Sequence, residues 1–297
     1  MRLVSVVDSG ARKAGFLEQG RVFVTDVPGL DVAISQRIDL KSTRGTWRPL
    51  EDVTLDVPLR PGAILGTGSN YRDHLVERVE ASAGVNEGGE ALEFFVKTGS
   101  TLANLDAPLH LRPAIGKKID QETELGIVMG HGCPSGVSEE RALDFVFGYL
   151  VINDLTARDK QVRFASDGSS FMVLGGSKNF TGSTRFSNQV VTADEIPDIY
   201  NLDIKTFMNG QMTQNNSTRN LINSFGRIIS FFSNVLDLTP GTVITTGTPG
   251  GTGWGQDMSL GGKGFIPPAC VAAHYLRPGD EVRSVVQGVG EIVFRAD

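Results

Sequence analysis

Residues Ile119–Gly130, IDQETELGIVMG, decide how this chain reads. The stretch is expected to be one buried β-strand carrying Glu122 and Glu124. Side chains alternate across a strand, so two residues spaced by two point to the same face. Leu125, Ile127, Val128 and Met129 follow at once, an apolar run suited to a strand covered on both sides. Two like charges entering a core are costly unless something cancels them, and a divalent cation would do so. The stretch therefore reads as half of a metal site.

The composition sets the frame. The 297 residues allow one large domain, or one domain with a small appendage. There are 36 glycines, where average usage would give about 21, and the excess favours tight turns and strands over helices. The net charge of −6 offers no basic stripe for nucleic acid. No apolar segment is long enough for a signal peptide or a membrane span, so the cytoplasm is the expected setting. Cys133 and Cys270 are too few and too far apart for a disulfide framework or a thiolate zinc site.

The first sixty residues suggest short strands (LVSVV, RVFVTDV, TLDVPL) separated by polar connections such as KSTRGTWRP, and form a small β-rich N-terminal domain, 1–60. After the strand AILG, Asn70 could cap a short helix on which His74 and Glu77 are neighbours. A carboxylate beside an imidazole orients it as a base, although an exposed pair on a surface helix is the plainer alternative. EASAGVNEGGEALE reads as a lid or an ordinary loop. Lys97 ends the apolar run FFVK.

Beyond the carboxylate strand, a helix is expected from Ser138 as a crossover to the strand GYLVIND. Asp154 closes that strand thirty residues after Glu124. Arg158 and Gln161 follow, and Lys178 sits in a Gly- and Ser-rich loop. Asn209-Gly210 marks a hairpin. Leu221, Phe225, Ile228, Ile229 and Phe232 share one helical face. GTPGGTGWG lacks the lysine and hydroxyl of a phosphate-binding P-loop.

Glu122, Glu124 and Asp154 together form an all-oxygen set, suited to Mg²⁺, Mn²⁺ or Ca²⁺ rather than zinc. From about Pro61 onward the chain resembles the fumarylacetoacetate hydrolase family. The resemblance is carried, in order, by GTGSNYRDHLVE, FFVKTGS, the D-x-E-x-E-L of Asp120–Leu125, GYLVINDLTARDKQ, GGSKNF, MNGQMTQNNST and PGTVITTGTPGG. It implies an α+β, β-rich fold whose catalytic domain, 61–297, is a mixed β-sandwich roll, usually in a homodimer. It also implies Mg²⁺ or Mn²⁺ on Glu122, Glu124 and Asp154, with Ca²⁺ able to substitute in vitro. The family's dyad falls on His74 and Glu77, and its loop lysine on Lys178. Tyr71, Arg158, Gln161 and Thr248 fall on positions that approach substrate.

The implied activity is hydrolysis of a C–C bond in a 2,4-dioxo acid, such as an acylpyruvate or fumarylpyruvate, to pyruvate and a carboxylic acid. Decarboxylation of an oxaloacetate-like acid, or isomerisation of an oxo acid, would use the same metal-bound enolate. A non-catalytic metal-dependent binding protein is the reading from another class. Two features depart from the family pattern. STRFSNQVV stands where a proline-rich segment is usual, and Trp254–Tyr275 is longer than in minimal members.

Overall fold

The computed structural model describes residues 1–77 and 92–297. Most of the stretch expected to be a lid or loop, residues 80–93, lies outside them. Among the described residues twelve strands form one sheet. From its middle to one edge run Val190–Thr192, Val146–Asp154, Thr123–Met129, Val243–Thr245, Ala63–Thr67 and Phe94–Thr98, in that spatial order. Only Val243–Thr245 and Ala63–Thr67 run parallel among these neighbours. A four-stranded antiparallel sheet, Gln211–Ser217, Asp203–Met208, Glu281–Val286 and Gly290–Arg295, supplies a second layer. The fold is β-rich α+β.

Every residue of Thr123–Met129 is buried. Leu125, Ile127 and Met129 pack into a core shared with Ile204, Met208, Val282 and Phe294 of the second sheet. Val128 faces the opposite core with Ile64, Leu150, Ile152 and Leu30. This is the two-residue period of a strand covered on both faces. The N-terminal strands continue the same sheet, since Arg2 pairs with Val191 and Leu3 with Val190.

Several sequence expectations are corrected. The strand through Ile119–Gly130 is broken. Ile119–Asp120 pairs with Thr156–Ala157, and Thr123–Met129 pairs with Val146–Asp154, leaving Gln121 and Glu122 between the two ladders. No helical crossover joins the second pair. They are antiparallel, so a return loop suffices, and only a 3₁₀ turn, Ala142–Phe145, forms where the helix from Ser138 was expected. Ala11–Glu18 is a strand, and the connection KSTRGTWRP contains another, Gly45–Pro49. Lys178 ends a short helix, Leu174–Lys178, rather than lying in an open loop.

The hairpin at Asn209-Gly210 forms with both residues at positive φ, 52° and 77°. The helix Phe225–Val235 starts at Ser224, whose side chain accepts from the Arg227 N–H, and it buries Phe225, Ile228, Ile229 and Phe232. Leu221 lies before the helix, in a bridge with Tyr71. No helix among the described residues is long and apolar enough to cross a membrane.

Two outcomes follow from this packing. Phe232→Ala should cost about 3–5 kcal/mol, read as a lowered denaturant midpoint, whereas Ser224→Ala should cost about 1 kcal/mol. The second concerns Asp257. Burial opposes its charge, but Lys118, Ser259 and Tyr275 outweigh burial and hold its carboxyl at about 2. A depressed carboxyl contributes stability above its unfolded value of roughly 4, and that contribution is lost as pH falls towards about 2. Thermal scans across that window should fall less steeply for Asp257→Asn than for the parent chain.

Candidate active site

Register brings the carboxylates together. Glu124 pairs across the ladder with Ile152 and Thr123 with Asn153, so Glu124 and Asp154, two residues beyond Ile152, lie on one face. At the break in the strand the Asp154 N–H donates to the Glu122 carbonyl (2.9 Å), which seats Glu122 beside them. One carboxylate oxygen from each of the three lies within 4.8 Å of the others, and all three residues are buried.

Three cations meet this charge. Lys178 Nζ donates to Glu122 and to Asp154 Oδ2 (2.6 Å). Lys97 Nζ donates to Asp154 Oδ1 and to the Ser183 carbonyl (3.0 Å). Arg158 donates from Nε to Asp120 Oδ2 (2.9 Å), from one terminal nitrogen to Gln161 Oε1 (2.7 Å), and from the other to Glu122 Oε1. Burial opposes ionisation of Glu122, but Arg158 and Lys178 outweigh it and hold its carboxyl below the usual range. Glu124 makes no ion pair with a cation among the described residues, although the Lys178 charge acts on it. It accepts the Gly247 N–H (2.8 Å), while burial, then Asp154 and Glu122, push its carboxyl up to about 8.

The donor set fits a hard divalent cation. It is all oxygen and buried, it already surrounds an ammonium, and it leaves one carboxylate without a fixed counter-charge.

The imidazole of His74 lines the same cleft. Its Nδ1–H donates to Glu77 Oε2 (2.8 Å), which leaves Nε2 as the lone-pair nitrogen. Glu77 also accepts the N–H groups of Gly251 and Thr252 and the Thr252 hydroxyl (3.0 Å). The pair is buried, not the exposed surface pair that was the plainer alternative. Asn70 caps no helix. Its side chain donates to the Thr246 carbonyl (2.9 Å) and accepts the Asn223 N–H (2.8 Å), tying the dyad's turn to the strand end.

Arg158, Gln161 and Thr248 line the cleft. Thr248 donates to the Thr123 carbonyl (2.9 Å) and accepts from Gln214 (2.9 Å). Tyr71 is fully buried; the Glu124 charge adds to burial in raising its phenol, and its hydroxyl has no hydrogen-bond partner among the described residues.

Lys97, Asp120 and Trp254 also belong to this site. In Phe94–Thr98 the buried positions alternate, which puts Lys97 on the inward face with Phe95, and that spacing was legible. Asp120 accepts four donors: the Gln121 N–H (3.1 Å), the Gly253 N–H (2.8 Å), the Trp254 N–H (3.0 Å) and Arg158. The Trp254 ring lies 4.8 Å from the Arg158 guanidinium and 6.2 Å from the His74 ring. No local pattern pointed to that stack.

The sheet layers place a buried carboxylate cluster that could hold a metal ion beside a His–Glu dyad. Residues 51–296 match the family described as fumarylacetoacetate (FAA) hydrolase C-terminal. The chain belongs to this family. Among solved structures, it is similar to fumarylacetoacetate hydrolase from the psychrophile Exiguobacterium antarcticum, with 25% identity, a TM-score of 0.79, and coverage of 100% of this chain and 99% of that one. It is likewise similar to maleylpyruvate hydrolase from Sphingobium sp. SYK-6 in complex with manganese(II) and pyruvate (25% identity, TM-score 0.73, 100% and 98% covered). A third likeness is to 5-carboxymethyl-2-hydroxymuconate delta-isomerase from Mycobacterium smegmatis (26% identity, TM-score 0.72, 100% and 98% covered).

If the cluster holds a cation, Mg²⁺ or Mn²⁺ should raise Tm and EDTA should reverse the rise. At a hundredfold excess over Kd the gain is about 2.7 kcal/mol. Glu124→Gln should lose most of that gain, and an unchanged metal response would argue against the cluster as the site.

Proposed function

We propose that this chain is a hydrolase that cleaves the C–C bond of a 2,4-dioxo acid, an acylpyruvate or a relative, giving pyruvate and a carboxylic acid. The observation that carries the reading is the His74–Glu77 pair: a buried imidazole with its Nδ1–H tied down and its Nε2 left for the cleft. Hydrolysis needs a base to activate water, whereas decarboxylation of the same kind of acid does not.

A Mg²⁺ or Mn²⁺ on Glu122, Glu124 and Asp154 would supply Lewis-acid charge for the substrate's carboxylate and 2-oxo group. The remaining steps fall to the chain's own residues. His74 Nε2 takes a proton from water as the water oxygen bonds to the C4 carbonyl carbon. Glu77, held by two backbone N–H groups and the Thr252 hydroxyl, keeps the ring oriented and stabilises the imidazolium. Gln161 has its oxygen engaged by Arg158, so its Nε2 hydrogens remain for the C4 oxyanion.

Lys178 contributes positive charge beside the same carboxylates. Collapse of the tetrahedral adduct breaks the C3–C4 bond, and its electron pair passes to C3. The proton on His74 returns to C3, and pyruvate and the second acid leave. Atoms balance with one water consumed.

Oxo-acid isomerisation is the second reading, favoured by the isomerase among the solved relatives. Products separate the two readings: hydrolysis releases pyruvate plus an acid, isomerisation releases no fragments, and carbon dioxide would mark a decarboxylase. His74→Ala should lower kcat on an acylpyruvate by about 10²–10⁴-fold while keeping the metal-induced rise in Tm. A His74→Ala protein with full activity would sink the assignment.

A further inference from the structure

The floor and the mouth of the cleft differ in chemistry. At the floor, Glu122, Glu124, Arg158 and Lys178 are buried. At the half-buried wall stand Met172, Leu174 and a further carboxylate, Glu93, with the Phe95 ring between wall and floor, 4.8 Å from Lys178 Nζ. Glu93 lies outside every motif by which the sequence was read as catalytic.

Glu93 is held firmly. Its backbone carbonyl accepts the Gly68 N–H (2.9 Å), and its Oε2 accepts the Ser69 hydroxyl (2.7 Å). Ser69 occupies the left-handed region at φ 56°, which is unusual for a residue with a side chain and persists only where the surroundings impose it. At Gly68 an added Cβ would lie 2.9 Å from the Glu93 carboxyl carbon, so glycine there lets the carboxylate lie flat against the turn. Oε1 has no donor among the described residues.

The cleft offers this carboxylate no counter-charge among the described residues. Arg158 is committed to Asp120 and Glu122, and Lys178 to Glu122 and Asp154. A substrate whose 2-oxo-carboxylate end sits on the floor would extend its other end past Phe95 towards Met172, Leu174 and Glu93. A second carboxylate there would meet a fixed like charge and apolar walls. An uncharged alkyl, aryl or hydroxyl-bearing group would meet apolar contact and a hydrogen-bond acceptor.

We propose that Glu93 makes this cleft selective for oxo acids with an uncharged far end, and disfavours those that end in a second carboxylate. The proposal rests on the reading of the cleft as a dioxo-acid site and deepens it. Glu93 is a specificity-determining residue here, not a catalytic one.

The test pairs two 2,4-dioxo acids of equal length, one ending in methyl and one in carboxylate, on the Mg²⁺-loaded full chain. The parent chain should favour the methyl-ended acid in kcat/KM by roughly tenfold or more, mostly through KM, as expected for a like-charge approach in a partly shielded cleft. Glu93→Gln should narrow the preference and Glu93→Lys should invert it. Equal or better turnover of the carboxylate-ended acid by the parent chain would overturn the proposal, as would a preference unmoved by Glu93→Lys.

A second arm needs no turnover. Binding of 2-oxohexanoate and 2-oxoadipate to the Mg²⁺-loaded chain is measured by calorimetry in the same three proteins, with the same order expected. If neither dioxo acid is cleaved, the hydrolase reading fails and the binding order still decides the role of Glu93. Binding of neither 2-oxo acid would overturn both.

Discussion

Asp120, Glu122, Glu124 and Asp154 bring four carboxylates into a water-poor interior, and Lys97, Arg158 and Lys178 bring three cations to meet them. Each buried charge carries a desolvation penalty of several kcal/mol, so the set is tolerable only if geometry lets every member find partners. That requirement explains the break between Asp120 and Thr123. In one continuous ladder Glu122 would be confined to a single strand edge. In the break its carbonyl accepts from Asp154, its N–H reaches Asn153 Oδ1 (3.3 Å), and its carboxylate meets Arg158 and Lys178 together. Four carboxylates against three cations leave an excess of negative charge at Glu124, the place a divalent cation would occupy.

The loop after the strand Val243–Thr245 transmits this arrangement to the dyad. Gly247 donates to Glu124, Gly251 and Thr252 donate to Glu77, and Gly253 and Trp254 donate to Asp120. Five backbone N–H groups from eight consecutive residues thus satisfy three buried carboxylates. Two of the glycines have no substitute. Gly247 at φ 89° has the Asn70 Cβ 2.8 Å from where its own would be, and Gly251 at φ 101° faces the Thr213 carbonyl at 2.0 Å. This glycine-rich loop acts as a set of backbone donors for carboxylates. Base and carboxylate cluster are therefore positioned by one segment, and displacement of that segment would disturb both.

The same economy holds on the other side of the cleft. Gly66 lets the Phe95 ring lie against the strand backbone, where an added Cβ would come within 2.3 Å of it. The ring then covers the Lys178 ammonium. Apolar cover of this kind keeps water from the ion pairs and strengthens them.

Much was legible along the chain. The carboxylate pair, the apolar run behind it, Asp154 at a strand end, His74 three residues before Glu77, the Asn209-Gly210 hairpin and the amphipathic face of Phe225–Val235 all follow from periods of two or of three to four. These are properties of local backbone geometry, and the sequence by itself determined them. Contacts across long sequence separations were decided by the tertiary structure. Antiparallel register replaced the expected helical crossover, because pairing Glu124 with Ile152 buries both faces at once. Burial inserted Lys97 and Asp120 into the charge balance. The pairing of a buried cation with a particular carboxylate depends on which strands lie side by side. The opening stretch alone announced an excess of negative charge at Glu122 and Glu124; the fold alone selected the groups that neutralise it.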